Sequence, residues 1–139
     1  MVLVSDLMIT NPNTIHPDIP LSQVLKLMRD VGCRHLPVLE NGFLVGIVSE
    51  RDVRLAVKIP ALDIEDVGSH QIRDISAGEI MATDPVTANL STTVQQAAQW
   101  LNANNIGALP VVEDGVLVGI VTIYDILDYV AQMPDPVAA

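Results

Sequence analysis

Hydrophobic and polar positions follow the same order twice along this chain of 139 residues. In each copy, apolar residues recur at helical spacing, then form two short apolar runs around a polar turn, and then return to helical spacing. The first helical stretch carries Leu21, Val24, Leu25 and Met28 at helical spacing and is stopped by Gly32, with Asp18 or Ser22 as candidate caps. A short extended stretch at Thr14–Ile15 precedes it, so the pattern predicts a β-α-β-β-α unit in each copy.

The turn residues define a hairpin in each copy. Asn-Gly at Asn41-Gly42 and Asp-Gly at Asp114-Gly115 are strong hairpin signals between apolar runs. Pro37 should confine its strand to a sheet edge or a bulge, because proline cannot donate a ladder hydrogen bond. The predicted strands are His35–Leu39, Leu44–Val48, Ala108–Val112 and Leu117–Val121, and the predicted helices after the first are Ser49–Val57, Val94–Asn104 and Thr122–Val130.

The two copies align without a gap when Leu7–Val57 is laid over Ile80–Val130. A unit that recurs only twice is unlike a solenoid, which needs three or more repeats, and favours a pseudo-symmetric pair sharing one core. We therefore predict an α/β (α+β) fold of two packed repeats. The expected boundaries are repeat 1 at residues 1–62, a connector at 63–78, repeat 2 at 79–132 and a frayed tail at 133–139.

Composition limits the kind of partner. Seventeen acidic and seven basic side chains give a formal net charge of −10, which argues against nucleic acid. A small anionic ligand stays compatible with this charge, because a local basic cluster can outweigh a distant field. Arg29, Arg34, His35, Arg51 and Arg54 all lie in the first repeat, whereas Ile80–Val130 contains no Lys, Arg or His.

Several classes of protein lack support in the sequence. The apolar stretches are too short to cross a membrane, and the first residues do not resemble a secretory signal. The single cysteine, Cys33, cannot form an internal disulfide, which suits a reducing cytoplasm, and it is interpreted as a small core residue. The histidines show no metal-ligand spacing, and no catalytic triad or Gly-rich phosphate loop is present. An enzyme, a metal site and a required cofactor are therefore not expected.

The repeated element with chemical content is Ser49-x-x-Asp52 or Thr122-x-x-Asp125, after an apolar strand and at the start of a helix. One interpretation is a capping box, in which the hydroxyl and the carboxylate satisfy free N–H groups of the helix. The other is a ligand site, because a helix N-terminus attracts anions and a carboxylate can accept two vicinal hydroxyls of a ribose. The two interpretations are compatible.

The ordered set of Leu-Pro-Val, Asn/Asp-Gly, Leu-Val-Gly-Ile-Val and Ser/Thr-x-x-Asp, seen twice, resembles a pair of cystathionine-β-synthase (CBS) domains, the Bateman module. The resemblance implies binding of adenosine-containing ligands: AMP, ADP or ATP first, with S-adenosylmethionine or NAD as further candidates. It also implies that the Ser/Thr and Asp hold the phosphate side and the ribose, and that the adenine lies in an aliphatic slot. Each cleft in this family takes residues from both repeats.

Carried over residue by residue, the resemblance implies two sites. The better site would consist of Thr14, Ile15, His16, Cys33, Arg34, His35, Thr122, Tyr124 and Asp125. The second would consist of Thr87, Ala88, Ile106, Ser49, Arg51 and Asp52.

The basic pair Arg34-His35 distinguishes the two expected sites. It resembles the basic pair that meets phosphate in the AMP-sensing γ subunits of protein kinases, and Gly107-Ala108 stand at the matching positions of the second repeat. We therefore expect the Asp125 site to prefer phosphorylated ligands. The alternative is that Arg34 and His35 are solvated charges at a strand start, and Tyr124 is either a base-stacking residue or simply exposed.

The resulting hypothesis is a freestanding regulatory module in the cytoplasm that senses adenine nucleotides and acts through conformation or an unidentified effector protein. A homodimer is expected, because the last helix of each repeat carries an apolar face, with Val53, Ala56 and Val57 in one and Ile126, Leu127 and Val130 in the other. The competing hypothesis is a structural or dimerisation module in which the motifs only cap helices.

Overall fold

A computed structural model describes residues 1–57 and 75–135 and divides the chain into two compact units. The contiguous unit is Asn13–Pro85, and the split unit combines Met1–Pro12 with Val86–Ala139. Most of the expected connector at 63–78 and the end of the expected tail at 136–139 lie outside the described residues.

The described elements include both helices and strands, which confirms the mixed fold class. In chain order they are α1 (Val4–Leu7), β1 (Ile9–Thr10), α2 (Leu21–Val31), β2 (His35–Glu40), β3 (Phe43–Ser49), α3 (Glu50–Val57), α4 (Ala77–Ile80), β4 (Ala82–Thr83), α5 (Val94–Asn104), β5 (Ala108–Glu113), β6 (Val116–Thr122) and α6 (Ile123–Ala131).

Both predicted hairpins are present, as β2–β3 and β5–β6. Asn41 and Gly42 have φ values of 53° and 81°, and Asp114 and Gly115 have 50° and 81°, the left-handed pair that a two-residue hairpin turn requires. The register shifts just after Val38 in β2, and the equivalent shift occurs in β5. Each bulge therefore lies close behind a strand proline, as the sequence indicated.

Each hairpin gains its third strand from the first residues of the other repeat. β1 pairs antiparallel with β6, and β4 pairs antiparallel with β3, giving sheets of order β1-β6-β5 and β2-β3-β4. The compact units are therefore not the sequence repeats: residues 1–12 belong with the second hairpin, and residues 75–85 belong with the first.

A glycine lies at the position where each added strand pairs with its hairpin. A Cβ placed on Gly46 would lie 2.5 Å from the sulfur of Met81 and 2.9 Å from the carbonyl oxygen of Ala82. A Cβ on Gly119 would lie 2.5 Å from the sulfur of Met8. The absence of a side chain at these two positions thus allows the added strand and its methionine to pack against the hairpin.

The two units have separate aliphatic cores. In the contiguous unit the buried cluster is Ile15, Leu21, Val24, Met28, Leu36, Val38, Val48, Val53 and Ala77. In the split unit it is Val4, Ala88, Ala97, Leu101, Leu109, Val111 and Val121, with Trp100 partly buried against it. Neither buried cluster contains an aromatic side chain, as a chain with so few aromatics requires.

The start of α2 differs from the prediction. Its N-cap is Pro20, and no side chain caps it, so the expectation of Asp18 or Ser22 was wrong. The N–H of Leu21 instead donates to the main-chain carbonyl of Ile75 at 2.9 Å. A distant main-chain carbonyl thus satisfies one of the four free N–H groups at the N-terminus of the helix. The predicted stop is confirmed, since Gly32 adopts a left-handed φ of 78°.

Gly46→Ala and Gly119→Ala should each lower the free energy of unfolding by about 1–3 kcal/mol, because the new methyl group overpacks the crossing. Urea denaturation followed by circular dichroism measures the change. Thr10→Ala, an exposed position on β1, is the matched control and should stay within about 0.5 kcal/mol of wild type. Equal stability of both glycine variants and the control would show that the crossings relax without cost.

Candidate functional site

The Ser/Thr-x-x-Asp motif forms a capping box in both units. The Ser49 N–H donates to Asp52 Oδ2 at 2.9 Å, and the Asp52 N–H donates to Ser49 Oγ at 3.0 Å. In the split unit the Thr122 N–H donates to Asp125 Oδ2 at 2.8 Å, and the Asp125 N–H donates to Thr122 Oγ1 at 3.3 Å. The capping interpretation is therefore confirmed in both repeats.

The cap uses only part of each carboxylate. Asp52 and Asp125 are half-buried, and both direct Oδ2 to the backbone. Within residues 1–57 and 75–135, no hydrogen bond to Oδ1 of either residue is recorded. An ionised carboxylate offers about four acceptor positions. Each aspartate can therefore cap its helix and still accept hydrogen bonds from a pair of ligand hydroxyls.

Main-chain hydrogen bonds attach the segments around Ile15 and Ala88 to the hairpins that follow them. The Ile15 N–H donates to the Pro37 carbonyl at 3.0 Å, and the Leu39 N–H donates to the Ile15 carbonyl at 2.9 Å. Ala88 makes the equivalent pair of hydrogen bonds with β5. Both form single-residue parallel bridges. These bridges fix the backbone position of two of the candidate ligand-binding segments.

Burial separates the candidate residues of these segments into two groups. Ile15 and Ala88 are each 4% exposed and belong to the cores. Thr14, His16 and Thr87 are exposed on either side of them. Any ligand contact by Ile15 or Ala88 must therefore involve the main chain or the edge of the side chain, whereas the flanking hydroxyls and imidazole are accessible.

Arg34 lies beside an acidic residue that the sequence analysis did not single out. Its Nε is 3.8 Å from Oε2 of Glu50, the first residue of α3. Oε1 of the same carboxylate accepts a hydrogen bond from Arg54 Nη2 at 2.5 Å. Spacing of four residues on a helix is the sequence signal for the Glu50–Arg54 pair, but nothing local points to Arg34.

Burial alters the titration of two candidate residues. The pKa of His35 is lowered, chiefly because the imidazole is buried. The charge of Asp52 opposes this shift, that of Arg34 adds to it, and that of Glu50 opposes it. Burial raises the pKa of the Cys33 thiol, and backbone hydrogen bonds partly offset this. A protonated thiol packed against the core supports the interpretation of Cys33 as a small core residue.

The corresponding region of the split unit has no counterpart to Arg34, His35 or Glu50. Ile106 is half-buried, and the carbonyl of Gly107 accepts a hydrogen bond from the Ile123 N–H at 3.0 Å. Tyr124 is 56% exposed just after the motif threonine. Arg51, which stands at the matching position in the contiguous unit, is also exposed. The two helix starts thus share their cap but differ in charge and in the side chain after the cap.

Each predicted residue set includes members of both compact units. Of the Asp125 set, Thr14–His16 and Cys33–His35 lie in the contiguous unit, and Thr122, Tyr124 and Asp125 in the split unit. The Asp52 set is divided in the same way. Both sets remain predictions.

Within the contiguous unit, the structure brings Arg34 and His35 to the start of α3. His35 is the β-ladder partner of Ser49, and the Glu50 N–H donates to the Arg34 carbonyl at 2.9 Å. Two residues assigned to the Asp125 set thus also lie beside the start of the helix that carries Asp52. The sequence repeats gave no sign of this proximity.

The described ranges contain neither a cluster suited to a metal ion nor a helix suited to a membrane. No group of three or more His, Cys, Asp or Glu side chains there could hold a metal ion. No helix in those ranges is both long and apolar enough to span a bilayer.

Comparison with known proteins identifies the family. The CBS domain model matches residues 4–59 and 77–132, so this chain belongs to the CBS domain family and contains two copies of the domain. The resemblance seen in the sequence is thereby confirmed. A CBS domain-containing protein of Dictyostelium discoideum is 36% identical over 139 residues, covering 98% of this chain and 96% of its own.

Solved CBS pairs share the fold. The CBS domain pair of protein MJ0100, in complex with 5′-methylthioadenosine and S-adenosyl-L-methionine, has a TM-score of 0.79 and 29% identity, covering 94% of this chain and 97% of its own. CBSX2, a CBS-pair protein from Arabidopsis thaliana, was solved in complex with AMP. That complex has a TM-score of 0.76 and 28% identity, covering 95% of this chain and 98% of its own.

The lowered pKa of His35 should make stability depend on pH. The unfolded chain binds a proton near the ordinary value of 6.5, whereas the folded chain resists protonation, so stability should fall as pH drops through that value. Melting temperatures between pH 7.5 and 6 should decline less for His35→Gln than for wild type. His16→Gln, which removes an exposed imidazole, is the control. If the melting temperature of His35→Gln declined with pH as steeply as that of wild type, His35 would not be the source of the pH dependence.

Proposed function

We propose that this CBS pair is a regulatory module that binds an adenosine-containing ligand, with AMP, ADP or ATP as the first candidates. The observation that carries the proposal is the duplicated aspartate whose Oδ2 caps a helix and whose Oδ1 remains available. A ribose presents two vicinal hydroxyls that such an oxygen can accept. Related CBS pairs in complex with AMP, S-adenosylmethionine and methylthioadenosine support the same ligand class.

The output of the proposed module is a change of conformation or of affinity for another protein. No chemistry is assigned to the residues themselves, because the motif provides binding groups and helix caps rather than a nucleophile with its base. The single free thiol, Cys33, suits a reducing compartment, and we place the module in the cytoplasm.

We further propose that the two residue sets differ in ligand preference. The set that contains Arg34 and His35 suits a phosphorylated ligand, since charge-assisted hydrogen bonds to arginine are among the strongest available. The set that contains Ile106 has Arg51 as its cation and suits a less highly charged adenosine compound. This difference follows from the charge distribution along the chain, whose second repeat contains no basic side chain.

Asp125→Asn tests ligand binding separately from capping. An asparagine oxygen can still accept from the Thr122 N–H, so the cap should largely survive, whereas the charge that favours ribose hydroxyls is lost. We expect AMP affinity, measured by isothermal titration calorimetry, to fall by at least tenfold, which is about 1.4 kcal/mol. Wild type should bind AMP, ADP or ATP in the micromolar range and guanine nucleotides far more weakly.

Gln96→Ala is the matched control for capping. Thr93 and Gln96 form the same reciprocal cap at the start of α5, with distances of 3.1 and 3.0 Å, and belong to neither candidate set. This variant should lose about 1 kcal/mol of stability and retain AMP affinity. If no adenosine compound binds wild type at millimolar concentration, the motifs serve only as caps, and the structural hypothesis replaces the regulatory one.

The last helix of each repeat, α3 in the first and α6 in the second, exposes a different amount of apolar surface. Val53 of α3 is fully buried in the core, Ala56 is partly buried against it, and Leu55 is the one large apolar side chain described on α3 that is exposed. By contrast, Leu127 and Val130 of α6 are 55% and 54% exposed, and α6 has no buried residue. The side chain of Val57 lies outside the described set. An exposed apolar helix face is typical of a protein interface, so we propose that α6 is the main contact of a homodimer.

Leu127→Glu combined with Val130→Glu should convert the proposed dimer to a monomer, because burying two carboxylates without partners opposes association. Light scattering at tens of micromolar gives the mass. Val116→Glu is the control, since Val116 is equally exposed but lies at the β5–β6 hairpin. A wild-type monomer at that concentration, or a dimer unaffected by the double substitution, would rule out this interface of about 1,600 Å².

A further inference from the structure

An ionic cluster of three residues, Arg34, Glu50 and Arg54, lies at the start of α3. The Glu50 carboxylate accepts from Arg54 through Oε1 and lies 3.8 Å from Arg34 Nε through Oε2. The Glu50 main-chain N–H also donates to the Arg34 carbonyl at 2.9 Å. The main chain of Glu50 is therefore hydrogen-bonded to the residue before β2, and its side chain is hydrogen-bonded to Arg54 on its own helix.

The exposures of the three side chains define the geometry. The Glu50 side chain is 26% exposed and that of Arg54 is 38% exposed, whereas that of Arg34 is 65% exposed. The carboxylate is thus fixed close to the protein surface, and the Arg34 guanidinium extends beyond it into solvent. An anion that approaches Arg34 meets a guanidinium that is already close to a fixed negative charge.

The second repeat has no such cluster. The positions equivalent to Arg34, Glu50 and Arg54 are held by Gly107, Ile123 and Leu127. The capping aspartate, by contrast, is present in both copies. A helix with the same cap therefore starts in the split unit with isoleucine in place of Glu50. Its distinctive interaction is the one with the two arginines.

We propose that Glu50 is a specificity-determining residue that reduces the preference of the module for adenosine ligands with an anionic 5′ group. Arg34 is the residue proposed to meet phosphate, and Glu50 acts by offsetting the charge of Arg34. The ligand class favoured by Glu50 consists of adenosine compounds whose 5′ substituent is neutral or cationic. This inference depends on the proposed adenosine binding and concerns its selectivity alone.

Glu50→Gln tests the inference, because the amide keeps the size and a hydrogen-bond acceptor for Arg54 but removes the charge. We expect the dissociation constant for AMP to fall about three- to tenfold, in line with the loss of one partly exposed charge interaction, and that for adenosine to change less than twofold. Both constants are measured by isothermal titration calorimetry at fixed ionic strength. Circular dichroism melting verifies that the variant is folded.

Two further variants identify the cause of any change. Glu40→Gln removes an exposed carboxylate from the same unit, at the end of β2, and should leave the AMP-to-adenosine ratio unchanged. In an Arg34→Ala background, Glu50→Gln should no longer improve AMP binding, because the arginine on which it acts is absent.

The outcomes separate the inference from the proposed function. Absence of binding by both AMP and adenosine to wild type would overturn the proposed function. Binding of both, with a ratio unaltered by Glu50→Gln, would overturn the role of Glu50 alone. A gain in AMP affinity that also appears in Glu40→Gln or persists without Arg34 would show a general charge effect and would likewise refute the specific role.

Discussion

The hydrogen bonds between each hairpin and its added two-residue strand determine how this chain is divided. β1 completes the sheet of the second hairpin and β4 that of the first, and each crossing requires a glycine beneath a methionine side chain. Because each of these strands lies at the start of one repeat and pairs with the hairpin of the other, neither repeat completes its own sheet. The compact units, the cores and the location of every candidate ligand residue depend on this exchange.

Much of the local structure could be predicted from the sequence. The Asn-Gly and Asp-Gly turns, the helix stop at Gly32 and the boundaries of Val94–Asn104 depend on residues that are neighbours in the chain. The strand exchange could not be predicted in this way. Ile9–Thr10 has only two residues, both exposed, so it has no alternation of buried and exposed positions to signal a strand.

The candidate site shows the same distinction between local and distant interactions. The Ser/Thr-x-x-Asp caps are local and were predicted with their partners. The ion pair between Glu50 and Arg34 could not be predicted from the sequence, because the pairing of β2 with β3, rather than helical spacing, brings the two residues together. Capping does not prevent the proposed ligand binding, because the cap uses Oδ2 of each aspartate and leaves Oδ1 for the proposed ligand.

The exchanged strands also bear on the order of folding during synthesis. Residues Asn13–Pro85 contain one complete sheet and one complete core in a continuous segment, so that unit can fold as soon as Pro85 is available. Ile9 must wait for its partner Ile120, which is synthesised more than a hundred residues later. Pairing across so long a separation closes a large loop and is correspondingly slow. The first residues to be made can therefore pair only after the second hairpin has been synthesised, whereas the contiguous unit finds its sheet partners within one segment.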